Sequence, residues 1–177
     1  MKATFALLIA GQLALASCAP FDATRTTTGS GGVPITYDIA GSGETVLIFV
    51  HGWSCDRSYW REQVSAFTGE YRVVTVDLGG HGASPADRDD WSIESFGEDV
   101  AAVAAAIEAD HFILIGHSMS GPVILDAAAR LGDRVTGIIG VDTLWNALAR
   151  PVSAEEASKM FTTSARRFAY SMAYRWS

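Results

Sequence analysis

The run Thr45–Val50, T-V-L-I-F-V, is almost wholly apolar, with no alternation between polar and apolar positions. A strand of that kind must be covered on both faces, and in proteins of this size the cover is usually helical. The rest of the chain agrees. Val33–Ile39 reads as a strand closed by Gly41-Ser42-Gly43, and Tyr71–Val76, Phe112–Ile115 and Val135–Val141 read as further strands. Between them lie helical patterns. Asp56 can cap a helix carrying Tyr59, Trp60, Val64 and Phe67. Ser95 and Glu98 have capping-box spacing, and Phe96, Val100, Val103 and Ile107 then fall on one helical face. Met119–Leu131 is the third helix. Strands alternating with helices imply an α/β fold with a mostly parallel sheet and helices on both faces.

In such sheets ligands bind at the carboxyl ends of the strands. Glycines and polar residues gather at those ends here: His51-Gly52 after one strand, Asp77 to Ser84 after the next, Gly116 to Gly121 after a third. The net charge of −7 argues against a nucleic-acid partner, which would require a basic face. No metal-ligand cluster or phosphate-cradling motif is present in the sequence, so no cofactor is implied.

The N-terminus reads differently. Lys2 precedes an apolar segment, Phe5 to Leu15, too short to span a bilayer permanently. Leu15-Ala16-Ser17-Cys18 follows and resembles the lipobox of bacterial lipoproteins, in which the cysteine is lipidated after cleavage. The competing reading is an ordinary secretory peptide with a chance cysteine. The lipobox resemblance implies a membrane partner through a lipid anchor on Cys18 and a location in the bacterial cell envelope. Ala19 in place of aspartate favours the outer membrane. Residues 1–17 are therefore expected to be a signal peptide and residues 18–32, rich in Thr, Ser and Gly, a flexible tether. Cys55, the other cysteine, has no adjacent base and reads as a packing residue.

The chemistry-bearing stretch is Gly116-His117-Ser118-Met119-Ser120, which nearly matches G-x-S-x-G. A strand before it and a helix after it are the context of a nucleophile elbow, where a sharp turn exposes the serine hydroxyl above the sheet. The helix N-terminus and its free backbone N–H groups suit a developing oxyanion. His51 reads as a turn-orienting residue rather than a base, and Asp77 to Ser84 as a loop-shaping segment in which His81 is a less favoured candidate base.

In this order and spacing, H-G-W, D-L-G-G-H-G-A-S and G-H-S-M-S resemble the α/β-hydrolase family, and more closely its esterase, haloperoxidase and ring-cleavage-product hydrolase relatives. The resemblance covers residues 33–146 and implies a small-molecule ester-like substrate. It implies Ser118 as nucleophile and the main-chain N–H groups of Trp53 and Met119 as the oxyanion site. Ser120 departs from the family, which usually has glycine there. A larger departure follows. The family order is serine, acid, histidine, yet the four histidines, His51, His81, His111 and His117, all precede Ser118. Asp142, at the end of a strand, is a candidate acid, although a turn or capping role suits it better. The expectation is an incomplete form of the fold lacking its last strands, with residues 147–177 the start of a helical cap. A non-catalytic binding lipoprotein or an inactive remnant is the alternative. The sequence does not specify an oligomeric state.

Overall fold

The computed structural model describes residues 21–143. The expectations for the signal peptide, Cys18 and the helical cap lie outside the described residues. Six strands form one sheet in the order β1-β2-β4-β3-β5-β6. They are β1 (Ala23–Thr28), β2 (Pro34–Ala40), β3 (Thr45–Val50), β4 (Arg72–Val76), β5 (His111–His117) and β6 (Val135–Val141). The first two strands are antiparallel to each other, and β2 is antiparallel to β4. From β4 through β6 every pairing is parallel. The α-helices are α1 (Arg61–Phe67), α2 (Ile93–Ala105) and α3 (Ser120–Leu131).

Two apolar clusters confirm that the sheet is covered on both sides. Val46, Ile48 and Val50 of β3 pack with Phe96, Val100 and Val103 of α2 and Val123, Ile124 and Ala127 of α3. Leu47 and Phe49 point the other way, to Trp60 and Val64. The period of two along β3 thus feeds both layers, which is why the strand has no polar face. Phe96, Val100, Val103 and Ile107 are all buried, as their spacing requires.

Three expectations are corrected. The tether over residues 18–32 contains β1, six residues paired along their whole length with β2. Its β-branched threonines suit an exposed edge ladder, and a polar composition alone does not distinguish that from a linker. The segment is also held beyond its ladder: buried Ser30 donates its N–H to Asp99 at 2.9 Å. The cap of α2 is Ser92 rather than Ser95. The Ser92 hydroxyl accepts from the Ser95 N–H at 3.1 Å, and the Ser95 hydroxyl turns back to the Ser92 and Asp90 carbonyls. The helix following Asp56 begins as a 3-10 turn, Arg57–Trp60, before α1. Asp56 does cap it, accepting from the Ser58 N–H at 2.8 Å.

A buried ion pair ties the N-terminal hairpin, the loop after β4 and α2 together. Arg88 and Asp99 meet at 2.8 Å with side chains 1% and 0% exposed. Asp99 also accepts from the Gly79 N–H at 3.2 Å, and the Arg88 guanidinium lies over the rings of Trp91 and Phe96. Burial pushes the Asp99 carboxyl above the usual carboxylate range even though Arg88 pulls it back. Removing one partner of such a pair leaves the other charge uncompensated in the interior. Asp99→Asn is therefore expected to cost about 3–5 kcal/mol. Arg130→Ala, which breaks the half-exposed Arg130–Asp126 pair, should cost less than about 1 kcal/mol. Urea unfolding of both variants checks the contrast, and equal losses would contradict it.

Candidate active site

The parallel register brings three strand ends together. Val50 pairs with Val76 on one side and with Gly116 on the other. The residues that follow, His51-Gly52-Trp53, Asp77-Leu78 and His117-Ser118, therefore emerge along one edge of the sheet.

Ser118 sits between β5 and α3 with φ 53, a left-handed conformation that non-glycine residues rarely adopt. The strain of such a residue, of order 1–3 kcal/mol, persists only where the surroundings over-determine it. Here the Ser118 N–H donates to the Val141 carbonyl at 3.1 Å, and its own carbonyl accepts from the Gly121 N–H at 3.2 Å. The tight turn also explains the glycine two residues earlier. A Cβ at Gly116 would lie 2.6 Å from the Ser120 carbonyl oxygen. Pro122 is tolerated because it falls in the first turn of α3, where its missing N–H has no helical partner to lose.

The turn after β3 packs directly against this elbow. A Cβ at Gly52 would lie 2.9 Å from His117 Nδ1 and 3.2 Å from the Ser118 Cβ, so only glycine allows the approach. Trp53 and Met119 follow Gly52 and Ser118 in sequence. Among the described residues neither of their main-chain N–H groups has an acceptor. The Trp53 indole is exposed and meets His81 edge-on, with ring centroids 5.6 Å apart. Ser120 is fully buried, and its hydroxyl donates to the His51 carbonyl. The sequence marked Ser120 only as a departure from glycine; the contact explains what the extra hydroxyl does.

Among the described residues no histidine bonds the Ser118 hydroxyl, and His51 and His81 are engaged elsewhere. The ring of His51 is fully buried. Its Nε2 accepts from the Leu78 N–H at 3.2 Å, so Nδ1 carries the proton and donates to the Gly52 carbonyl at 2.8 Å. Burial, the largest influence, holds the His51 pKa below its ordinary value. This is the turn-orienting arrangement that the sequence suggests. His81 Nδ1 bonds the Gly79 carbonyl at 3.0 Å, and its ring packs near those of His51 and Phe96. His111 opens β5, the end away from Ser118, and is exposed. The ring of His117 stacks on Tyr59, 4.9 Å between centroids and 16° between planes. Among the described residues the Ser118 hydroxyl has no histidine partner. Asp142, the candidate acid, is exposed with φ 45, a conformation that aspartate tolerates in turns.

The segment after β4 is held by its own ends. The Ser84 hydroxyl donates to the Asp77 carbonyl and accepts from the Thr36 N–H, both at 2.8 Å. The buried Asp77 carboxylate accepts from the Ala83 and Arg57 N–H groups at 2.7 Å and pairs with the Arg57 guanidinium, which reaches Asp38 at 2.6 Å. Arg57 carried no sequence signal. Its role arises because β2, β4 and the turn before α1 converge. Among the described residues no group of three His, Cys, Asp or Glu side chains could hold a metal ion, and no helix is long and apolar enough to cross a membrane.

Comparison with known proteins agrees with this geometry. The family model described as alpha/beta hydrolase fold matches residues 45–171. The chain belongs to the α/β-hydrolase fold family. It is 34% identical over 90 residues to the karrikin insensitive 2 receptor IA of Petunia hybrida, covering 49% of this chain and 33% of the receptor. It is 32% identical over 94 residues to the putative carbamate hydrolase RutD of Rhizobium rhizogenes, covering 52% and 36%. Among solved structures, a thermophilic esterase from Thermogutta terrifontis superposes with TM-score 0.65 and 29% identity over 81% of this chain and 53% of the esterase. The chain thus spans less than half the length of these two relatives.

The His51 arrangement has a pH signature. Its folded-state pKa lies below the ordinary 6.5, so the unfolded chain takes up a proton first as the solution is acidified. The His51 contribution to stability is present above 6.5 and is lost as pH falls through the lower folded value. His51→Asn is expected to lower stability at neutral pH and to flatten its decline as pH falls below 6.5. Urea midpoints across that range measure it, and parallel curves for the two proteins would contradict it.

Proposed function

We propose that this chain carries the nucleophile and oxyanion elements of a serine hydrolase acting on ester or related acyl bonds of small molecules. The observation that carries this is Ser118, strained at φ 53 on a strand-to-helix elbow. In the reaction, Ser118 Oγ attacks the acyl carbon and forms a tetrahedral intermediate. The Trp53 and Met119 N–H groups donate to its oxyanion. Collapse expels the alcohol and leaves an acyl-serine, which water then hydrolyses. Preorganised donors of this kind are each worth about 10²–10³ in kcat.

Both chemical steps need a base. None of the four histidines in the sequence pairs with Ser118 among the described residues, and none follows it. The chain covers only part of its relatives' lengths, and its described residues supply no histidine base for Ser118. Asp142 remains the candidate acid. A second reading, ligand binding without turnover, draws support from the same lack of a base and from a relative named as a receptor. The Leu15–Cys18 stretch supports lipidation at Cys18 and attachment in the cell envelope, with the outer membrane favoured by Ala19.

With p-nitrophenyl butyrate as substrate, any ester turnover by the protein is expected to fall to background in Ser118→Ala. Retained activity would exclude Ser118. Saturable binding of phenylboronic acid to wild type without any ester turnover would favour the binding reading. For the anchor, labelling with radioactive palmitate in a bacterial host is expected for wild type and lost in Cys18→Ala; an unlabelled wild type would refute lipidation.

A further inference from the structure

We infer that Ser120 is a positioning residue that fixes the two main-chain donors, Trp53 N–H and Met119 N–H, relative to one another. The inference rests on the hydrolase reading for its catalytic consequence but on the hydrogen bonds alone for its geometry. The donors lie on segments far apart in sequence. Trp53 belongs to the turn after β3, and Met119 lies between Ser118 and α3. The Ser120 hydroxyl, on the first residue of α3, donates to the His51 carbonyl, a contact spanning 69 residues. The bond therefore joins a residue adjacent to one donor to a residue two before the other.

The peptide geometry carries that tie through to Trp53. Ser120 holds the His51–Gly52 peptide by its oxygen. The next peptide is held by its oxygen too: the Gly52 carbonyl accepts from His51 Nδ1 at 2.8 Å and from the Cys55 N–H at 3.2 Å. Among the described residues no cis peptide bond occurs, and in a trans peptide the N–H points opposite to the C=O. Fixing the Gly52 oxygen on one side therefore aims the Trp53 N–H to the other. Ser54, next in the turn, is itself strained at φ 58, so the turn has reason to relax if its contacts are cut. At the other end the Met119 N–H is fixed by the Ser118 backbone bonds and by α3, whose first residue is the buried Ser120. A glycine at 120 would leave the packing room but remove the only side-chain bond described between the elbow and the turn.

Ser120→Ala removes the hydroxyl with the least change in volume. The readout independent of turnover is ¹⁵N relaxation of the Trp53 and Met119 amides in the full-length protein. Both are expected to be rigid in wild type and Ser120→Thr and to lose order together in Ser120→Ala, with the remaining β3–β5 amides unchanged. If Ser120→Ala does not fold, Ser120→Gly takes its place. Two amides that stay as rigid as wild type in a folded variant would overturn the inference. For p-nitrophenyl butyrate hydrolysis, Ser120→Ala is expected to lower kcat about 10–100-fold, with KM within about twofold and phenylboronic acid affinity reduced alongside kcat. Ser120→Thr should restore both. A rise in KM at unchanged kcat would also overturn it. A wild type without turnover would count against the hydrolase reading, and the amide relaxation would still decide for or against the clamp.

Discussion

The parallel register of β3 with its two neighbours is the constraint on which the rest depends. Val50 lies opposite both Val76 and Gly116, so the chain leaves the sheet at three adjacent points of one edge. A slip of one residue would turn each strand's apolar side chains to the opposite layer and pull the three turns out of line. That slip is opposed by different partners on the two faces. Val46, Ile48 and Val50 fit the layer of α2 and α3, whereas Leu47 and Phe49 fit Trp60 and Val64. Burial thus holds the register, and the register places the site.

What the sheet brings together, polar contacts then hold at finer scale. The turn after β3 contains carbonyls bonded by His51, Cys55 and Ser120, and the loop after β4 closes through Ser84 and Asp77. Two arginines fasten these loops to the body: Arg57 reaches Asp38 and Asp77, and Arg88 reaches Asp99. Buried pairs of this kind are costly to desolvate and add little net stability over apolar packing, although losing one partner is severe. Their use here is consistent with orientation: each joins elements that the sheet alone would leave free to shift. The neutral, buried His51 belongs to the same group. Its two nitrogens link the turn to Leu78, so it works as a structural crosspiece beside the Ser118 elbow.

Much of this was legible in the sequence because it follows from local pattern. Thr45–Val50 and Val135–Val141 appear as strands with the bounds their apolar runs suggest. The face of α2 emerges from the spacing of Phe96, Val100, Val103 and Ile107. The elbow was visible because small residues must flank a strained turn. Less legible was the start of the domain. Ala23–Thr28 has the composition of a tether and becomes a strand through pairing with β2, a partner that no local pattern announces. The cap of α2 was misplaced by three residues because serines stand at both 92 and 95, and only the fold decides which hydroxyl meets a free N–H.

The sequence by itself determined the α/β alternation, the strand ends at which a site could form and the strand-to-helix turn that carries Ser118, because periodicity and turn chemistry act over a few residues. Only the tertiary structure decided the partners. Arg57 with Asp77, Arg88 with Asp99 and Ser120 with the His51 carbonyl join residues 11 to 69 positions apart. Such contacts depend on directions in space that the sheet register sets, and no short stretch of sequence contains them.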